Sequence, residues 1–188
     1  LGISWYLIVS SSSYAQEPFT TIHPNNPNIQ FTGRWNFDPP DQPWVVWQGS
    51  TLLIRFNGTD IRAELIAEKK IQQFRVVVDG VPNVQRMYLN PGKNLVSIAQ
   101  DLAPGEHTIE IMKETFTGSK TTFLGFELSG TVLAPPARSA LRIEWFGDSN
   151  MAGNSNYSEK NSGDMGTYYA YPAMVTRMLG AEMNLEAV

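Results

Sequence analysis

Apolar and polar positions alternate along residues 29–128 in short runs, each closed by glycine, proline or asparagine. Leu52, Ile54 and Phe56 alternate with polar neighbours, and Ile61, Ala63 and Leu65 alternate with Arg62 and Glu64. Successive side chains on a strand point to opposite faces, so runs of this kind predict half-buried strands. Asn57-Gly58, between these two runs, reads as a tight hairpin turn, because both residues tolerate the left-handed backbone such turns require. Further strands are predicted over 44–47, 74–78, 87–89, 95–98, 107–113 and 121–128. Turn residues punctuate them at Asp79-Gly80, Asn90-Pro91-Gly92 and Pro104-Gly105. No segment of this region has helical periodicity. Many short strands with regular turns predict an all-β antiparallel sandwich, with a jelly roll as the specific topology.

The pattern then changes. Residues 131–140 hold Pro135-Pro136 without periodicity and read as a linker. Leu141, Ile143 and Trp145 alternate with Arg142 and Glu144, a strand that runs into Gly147. A polar loop over 151–166 follows. Tyr171, Met174, Val175, Met178 and Leu179 then recur at helical spacing, with Tyr171 taken into the core and Gly180 suited to the C-terminal cap. Residues 183–188 read as the next strand. Strand, helix, strand is the opening of a parallel α/β sheet. Such a sheet needs both faces covered, so 141–188 is expected to be loosely ordered by itself, while within the sandwich domain over 16–130, residues 31–128 are expected to fold independently.

The turn after the 141–147 strand carries the candidate chemistry. Gly147 permits a sharp turn, and a carboxylate and a hydroxyl follow, Asp148 and Ser149. A serine on a tight turn at a strand end is exposed and held, as a nucleophile must be; a helix-cap serine is the plainer alternative. Asp148 is assigned to shaping the turn through backbone hydrogen bonds. The only histidines are His23 and His107; both read as structural or solvent-facing, and neither makes a metal site alone. Trp35, Trp44 and Trp47 read as aromatic packing of the sandwich before a sugar-stacking platform. Glu159 and Asp164 lie in so polar a loop that they read as solvated.

Composition narrows the classes. The net charge is −4 and no basic run interleaves with aromatics, which argues against nucleic acid. The absence of cysteine excludes disulfides, cysteine nucleophiles and cysteine-based metal sites. The chain begins at Leu1, residues 3–9 are apolar, and small residues stand at Ser13 and Ala15. Residues 1–15 therefore read as the end of a secretory signal peptide whose basic front is missing. The apolar run is too short to span a bilayer. Asn57-Gly58-Thr59 and Asn156-Tyr157-Ser158 are glycan acceptor sequons, of consequence in a eukaryotic source, with Asn57 expected to be the more occupied.

Strand, Gly147-Asp148-Ser149, polar loop and helix together resemble the first block of the SGNH (GDSL-type) hydrolases, with Asn150 where many members carry an aliphatic residue. Over residues 31–188 the chain resembles carbohydrate esterase family two, an acetyl xylan esterase family. The residues that carry this are Thr32-Gly33-Arg34-Trp35, Val78-Asp79-Gly80, Pro104-Gly105-Glu106-His107-Thr108, Phe123-Leu124-Gly125-Phe126-Glu127-Leu128, Pro135-Pro136-Ala137-Arg138 and Glu144-Trp145-Phe146-Gly147-Asp148-Ser149. The resemblance implies a jelly roll followed by the start, over 141–188, of a flavodoxin-like α/β hydrolase domain. It implies a secreted carbohydrate O-acetyl esterase that deacetylates plant-type polysaccharide or oligosaccharide such as xylan, with no metal or organic cofactor. Ser149 would be nucleophile and, through its N–H, one oxyanion donor. The catalytic histidine and the oxyanion glycine and asparagine would lie beyond Val188, so this chain alone would be inactive. Two other readings stay open: a carbohydrate-binding or adhesion protein with a degenerate hydrolase half, and an SGNH esterase or lipase acting on other esters.

Overall fold

The computed structural model describes residues 18–115, 119–157 and 165–188. The predicted signal peptide, the second sequon's Ser158, and Glu159 and Asp164 lie outside the described residues. The strands of the first part are β1 (Phe19–Ile22), β2 (Gln30–Thr32), β3 (Trp44–Val45), β4 (Thr51–Ala67), β5 (Gln72–Val78), β6 (Val81–Pro82), β7 (Met87–Leu89), β8 (Gly92–Ala99), β9 (Gly105–Lys113) and β10 (Thr121–Leu133). All pair antiparallel, in the order β1-β10-β4-β9-β5-β6, with β2 and β8 on β4, β3 on β10 and β7 on β5. The sheet folds over on itself into a sandwich, because β4 is long enough to serve both layers. Its first half pairs with β9 and its second half with β8.

Asn57-Gly58 is not a hairpin turn but the middle of β4. The buried apolar positions are Leu52, Ile54 and Phe56 before it and Ile61, Ala63, Leu65 and Ala67 after it, so the period-two phase slips by one residue. The slip is a β-bulge: β10 sets Ser129 against Asp60 and Gly130 against Gly58, leaving Thr59 unopposed. A Cβ on Gly58 would lie 1.8 Å from the Ser129 carbonyl oxygen, and one on Gly130 would lie 2.0 Å from that of Asn57. Glycine therefore serves here to let two backbones meet, not to turn the chain. Asn57 is exposed in mid-strand, while Nδ2 of Asn156 donates to the Gly166 carbonyl at 3.1 Å.

The main core lies between the two layers and includes Leu52, Ile54, Phe56, Ile61, Leu65, Ile109, Ile111, Phe123 and Phe126, with Trp35 packed against its edge. Trp35 donates to the Thr51 carbonyl at 3.1 Å, whereas Trp44 donates to that of Asp38 at 3.2 Å. β5 is buried on both faces, since Val76 enters the main core and Val77 a second cluster on the outer face. That is why residues 74–78 read as a nearly continuous apolar run rather than an alternating one.

β10 runs through Thr131, Val132 and Leu133, inside the predicted linker. The remaining residues, 134–140, form neither helix nor strand and are fastened: the Gln30 side chain donates to the Pro136 carbonyl, and Arg138 donates to that of Phe31 at 3.0 Å. Beyond them come β11 (Arg142–Gly147), α1 (Ser149–Ala152), a 3-10 turn (Thr167–Tyr169), α2 (Tyr171–Met178) and β12 (Glu182–Ala187). β12 pairs parallel to β11 from Arg142 opposite Glu182 to Gly147 opposite Ala187.

This unit is docked on the outer face of the sandwich, which covers one face of its two-stranded sheet. Ala152, Met165, Tyr168, Ala173, Met183, Leu185 and Ala187 join Val77 and Met112 in the second cluster. Arg34 adds ion pairs to Glu144 at 2.6 Å and Glu186 at 2.9 Å, and the buried Gln48 side chain donates to the Ala187 carbonyl at 2.8 Å. The buried positions of α2 are Pro172, Ala173 and Thr176. Tyr171, which the periodicity put in the core, is 45 % exposed, and Met174, Val175, Met178 and Leu179 also face outward. Close approach to β11 and β12 selects the small face of the helix: Ala173 sits in the cluster, and Thr176 accepts a hydrogen bond from the Trp145 indole at 3.0 Å.

At the other end of β9 from Met112, His107 lies between Asp79 (Nδ1 to Oδ2, 2.7 Å) and the Ala103 carbonyl (Nε2 to O, 2.7 Å). Burial pulls the imidazole down, but the Ala103 carbonyl and the Asp79 hydrogen bond and charge together raise it above 6.5. Burial likewise raises Asp79, and the Thr108 N–H and His107 outweigh it to leave the carboxyl below 3.8. The imidazolium form therefore stabilises the fold below pH 6.5, and that contribution is lost as pH rises through the raised value. The Asp79 contribution is present above 3.8 and lost on acidification. His107→Gln is expected to lower stability by up to about 1 kcal/mol at pH 5.5 and to have little effect at pH 9. Urea denaturation at the two pH values checks this; an equal effect at both would show that the charge is not involved.

Candidate active site

The site begins with what β11 can and cannot carry at its C-terminal end. Gly147 is still in the strand, opposite Ala187, and its backbone is not left-handed. The expectation of a sharp turn at this glycine is corrected: what it supplies is room. A Cβ there would lie 2.1 Å from Sδ of Met151, which folds back over the strand end. Asp148 is the N-cap of α1. Its Oδ1 accepts the Asn150 N–H at 3.0 Å, and its Oδ2 lies 3.4 Å from the Asn150 amide nitrogen. The aspartate thus satisfies one of the donors that a helix start leaves open.

Ser149 is the first residue of α1, half-buried at the end of β11. Its carbonyl accepts the Asn154 N–H at 2.9 Å. Among the described residues nothing hydrogen-bonds its hydroxyl. Its own N–H is at the first position of the helix, where no intrahelical acceptor exists. An unpaired hydroxyl beside an outward N–H can attack an acyl carbon and hold the resulting oxyanion, given a base. Neither histidine supplies that base here. Both ring nitrogens of His107 are occupied by Asp79 and Ala103, and His23 is exposed in the loop after β1. Among the described residues no group of three or more histidine, aspartate or glutamate side chains could hold a metal ion, and no helix is long and apolar enough to cross a membrane.

Residues that pattern reading did not single out surround the segment after α1. Arg75 of β5 and Glu114, just past β9, are at most 1 % exposed and lie 3.6 Å apart. Arg75 donates to the Tyr157 hydroxyl. Glu114 Oε1 accepts the Tyr168 N–H at 3.0 Å. Arg86 donates to the Met165 carbonyl at 2.8 Å and stacks 4.2 Å from the Tyr157 ring. From α2, Arg177 lies 3.8 Å over the Tyr168 ring and donates to that residue's carbonyl at 2.6 Å. Burial, then the Glu114 charge, pushes the Tyr157 phenol up to about 12, so it stays protonated at neutral pH. The one signal in the sequence was a charge inside an apolar run, Phe74-Arg75-Val76-Val77-Val78; a buried charge requires a partner, and the partner lies on another strand.

Comparison with known proteins places these features in a family context. A family model described as carbohydrate esterase 2 N-terminal matches residues 31–136. The cellulase/esterase CelE of Acetivibrio thermocellus is 31 % identical over 178 residues, which is 91 % of this chain and 22 % of that protein. A solved family two carbohydrate esterase from Clostridium thermocellum, in complex with cellohexaose, is 30 % identical with a TM-score of 0.77, covering 85 % of this chain and 50 % of that one. An acetyl xylan esterase from the rumen bacterium Butyrivibrio proteoclasticus has a TM-score of 0.81 over 90 % of this chain and 49 % of its own; at 16 % identity it shows the fold alone. The chain thus spans about a fifth of the curated relative and about half of these solved ones.

Proposed function

This chain belongs to the carbohydrate esterase 2 family, and from that premise we propose that it is part of a secreted carbohydrate O-acetyl esterase whose nucleophile is Ser149. The observation that carries the reading is the Ser149 hydroxyl, unpaired among the described residues at the end of a parallel strand, with the helix-start N–H beside it. In this reading residues 16–130 are the jelly roll, and 141–188 are the first strand-helix-strand unit of an SGNH hydrolase domain. The histidine base and the oxyanion glycine and asparagine come from chain beyond Val188, as the family resemblance implies.

The reaction follows from those parts. Ser149 Oγ attacks the acetyl carbonyl carbon while its proton passes to the histidine. The oxyanion forms against the Ser149 N–H and the two further donors. Collapse breaks the bond to the sugar oxygen, which leaves as an alcohol with the proton from the histidine. Water then attacks the acetyl-enzyme, giving up a proton to the same base, and acetate leaves with the Ser149 oxygen reprotonated. These steps require no metal or organic cofactor.

The substrate class proposed is acetylated plant polysaccharide, supported by the match to the carbohydrate esterase 2 family and by a 30 % identical family two carbohydrate esterase solved with cellohexaose. The cellohexaose complex also favours a second reading, in which the protein grips a β-linked glucan chain without turning it over. The test measures acetate released by the complete protein from acetylated xylan, acetylated cello-oligosaccharides and a long-chain fatty ester, beside binding of cellohexaose by calorimetry. Release from the acetylated glycans is expected. Binding without release from any ester would establish the second reading, and release from the fatty ester alone would exclude a carbohydrate substrate.

A further inference from the structure

We propose that the buried Arg75–Glu114 pair of the sandwich positions Ser149, acting through the 3-10 turn at Thr167–Tyr169 on the one-turn helix α1. This rests on the reading of Ser149 as the nucleophile. α1 has four residues, and a helix so short has no stability of its own. The orientation of its first residue is therefore whatever its surroundings impose.

Those surroundings form one continuous path from the sandwich. Glu114 Oε1 holds the Tyr168 N–H at 3.0 Å. The preceding side chain, the fully buried Thr167, donates its hydroxyl to the carbonyl of Ala152, the last residue of α1, at 2.7 Å. The Gly166 N–H donates to the Gly153 carbonyl at 2.8 Å. At the start of the path the carboxylate is itself fixed. The Glu114 N–H donates to the Gln73 carbonyl at 2.8 Å, and the Arg75 guanidinium lies 3.6 Å from the carboxylate with neither side chain more than 1 % exposed. Arg75 also holds the Tyr157 hydroxyl, on the chain leaving α1.

Apolar side chains of similar volume commonly serve stability as well as a buried ion pair does. What an ion pair adds is a defined geometry, and this one is handed by consecutive hydrogen bonds to the helix that bears the nucleophile. The sandwich is accordingly part of the catalytic scaffold, whatever it binds.

The experiment uses the complete protein, Ser149→Ala and three further variants. Thr167→Val keeps the volume and removes the donor to Ala152, Thr167→Ser keeps the hydroxyl, and Arg75→Met with Glu114→Leu replaces both members of the pair by apolar side chains. Reactive sites are counted by stoichiometric labelling with a fluorophosphonate, and kcat and KM for p-nitrophenyl acetate are expressed per labelled site. Thr167→Val and the double variant are expected to lose about 10–100-fold in kcat with KM within about twofold, and Thr167→Ser to retain kcat. Wild-type kcat per site in Thr167→Val or in a folded double variant would overturn the proposal, as would equal losses in Thr167→Val and Thr167→Ser. Should the double variant not fold, the two Thr167 variants decide the matter. Wild-type turnover in Ser149→Ala would instead sink the nucleophile reading; an inactive Ser149→Ala beside fully active Thr167 and pair variants would sink the positioning alone.

Discussion

Replacing Ser149 by alanine in the complete protein is expected to reduce acetyl-ester turnover by about 10⁴–10⁶-fold, the usual consequence of removing a nucleophile that works as a unit with its base. Folding should be unaffected. The hydroxyl has no hydrogen-bond partner among the described residues, the cap of α1 is supplied by Asp148, and the helix remains anchored by Ala152 and Thr167. The melting temperature should therefore match the parent, since surface changes that break no contact stay within about 0.5 kcal/mol. Turnover of p-nitrophenyl acetate and acetylated xylan, with thermal denaturation alongside, measures both halves. A folded variant that keeps parental rates would remove Ser149 from the mechanism. Activity lost together with folding would show instead that the hydroxyl is structural.

The largest effect on stability is expected from Gly130→Ala, a loss of about 3–5 kcal/mol. Two costs combine at this position. The backbone is left-handed at φ 117°, which an L side chain rarely adopts. The new methyl would also lie 2.0 Å from the Asn57 carbonyl oxygen and 2.9 Å from the Gly58 Cα. Neither neighbour can move as a flexible side chain would, because both are backbone in the β4–β10 pairing. Gly80→Ala separates the two costs: its φ is 79° and a Cβ there meets nothing within 4 Å, so only strain of about 1–2 kcal/mol applies. Urea unfolding of the two variants checks the contrast. Equal losses would show that the strand crossing relaxes and that the close approach is not what glycine serves there.

That crossing also shows where local reading stops. The alternation of Leu52, Ile54 and Phe56, and then of Ile61, Ala63 and Leu65, is visible in the sequence, and these side chains are buried. The phase slip between the runs is visible too. Local turn chemistry interprets Asn57-Gly58 as a hairpin, because an exposed Asn-Gly pair would turn most readily. Here the pair meets Gly130, more than seventy residues later in the chain. Only that encounter makes the missing Cβ necessary for passage and not for turning.

The same division runs through α2 and the candidate site. Helical spacing marks α2, yet its large apolar side chains face outward, since the close fit against β11 and β12 selects Ala173 and Thr176. Pattern singles out Ser149 and, through its strand, the place where a nucleophile belongs. It says nothing of Glu114 reaching Tyr168, or of Arg75 reaching Tyr157. Periodicity and turn propensity are properties of neighbours in the chain, so the sequence by itself determined the strands, the helix and the sandwich class. Which face docks, which charge finds a partner and what holds a one-turn helix in place depend on contacts between distant segments, and only the tertiary structure decided them.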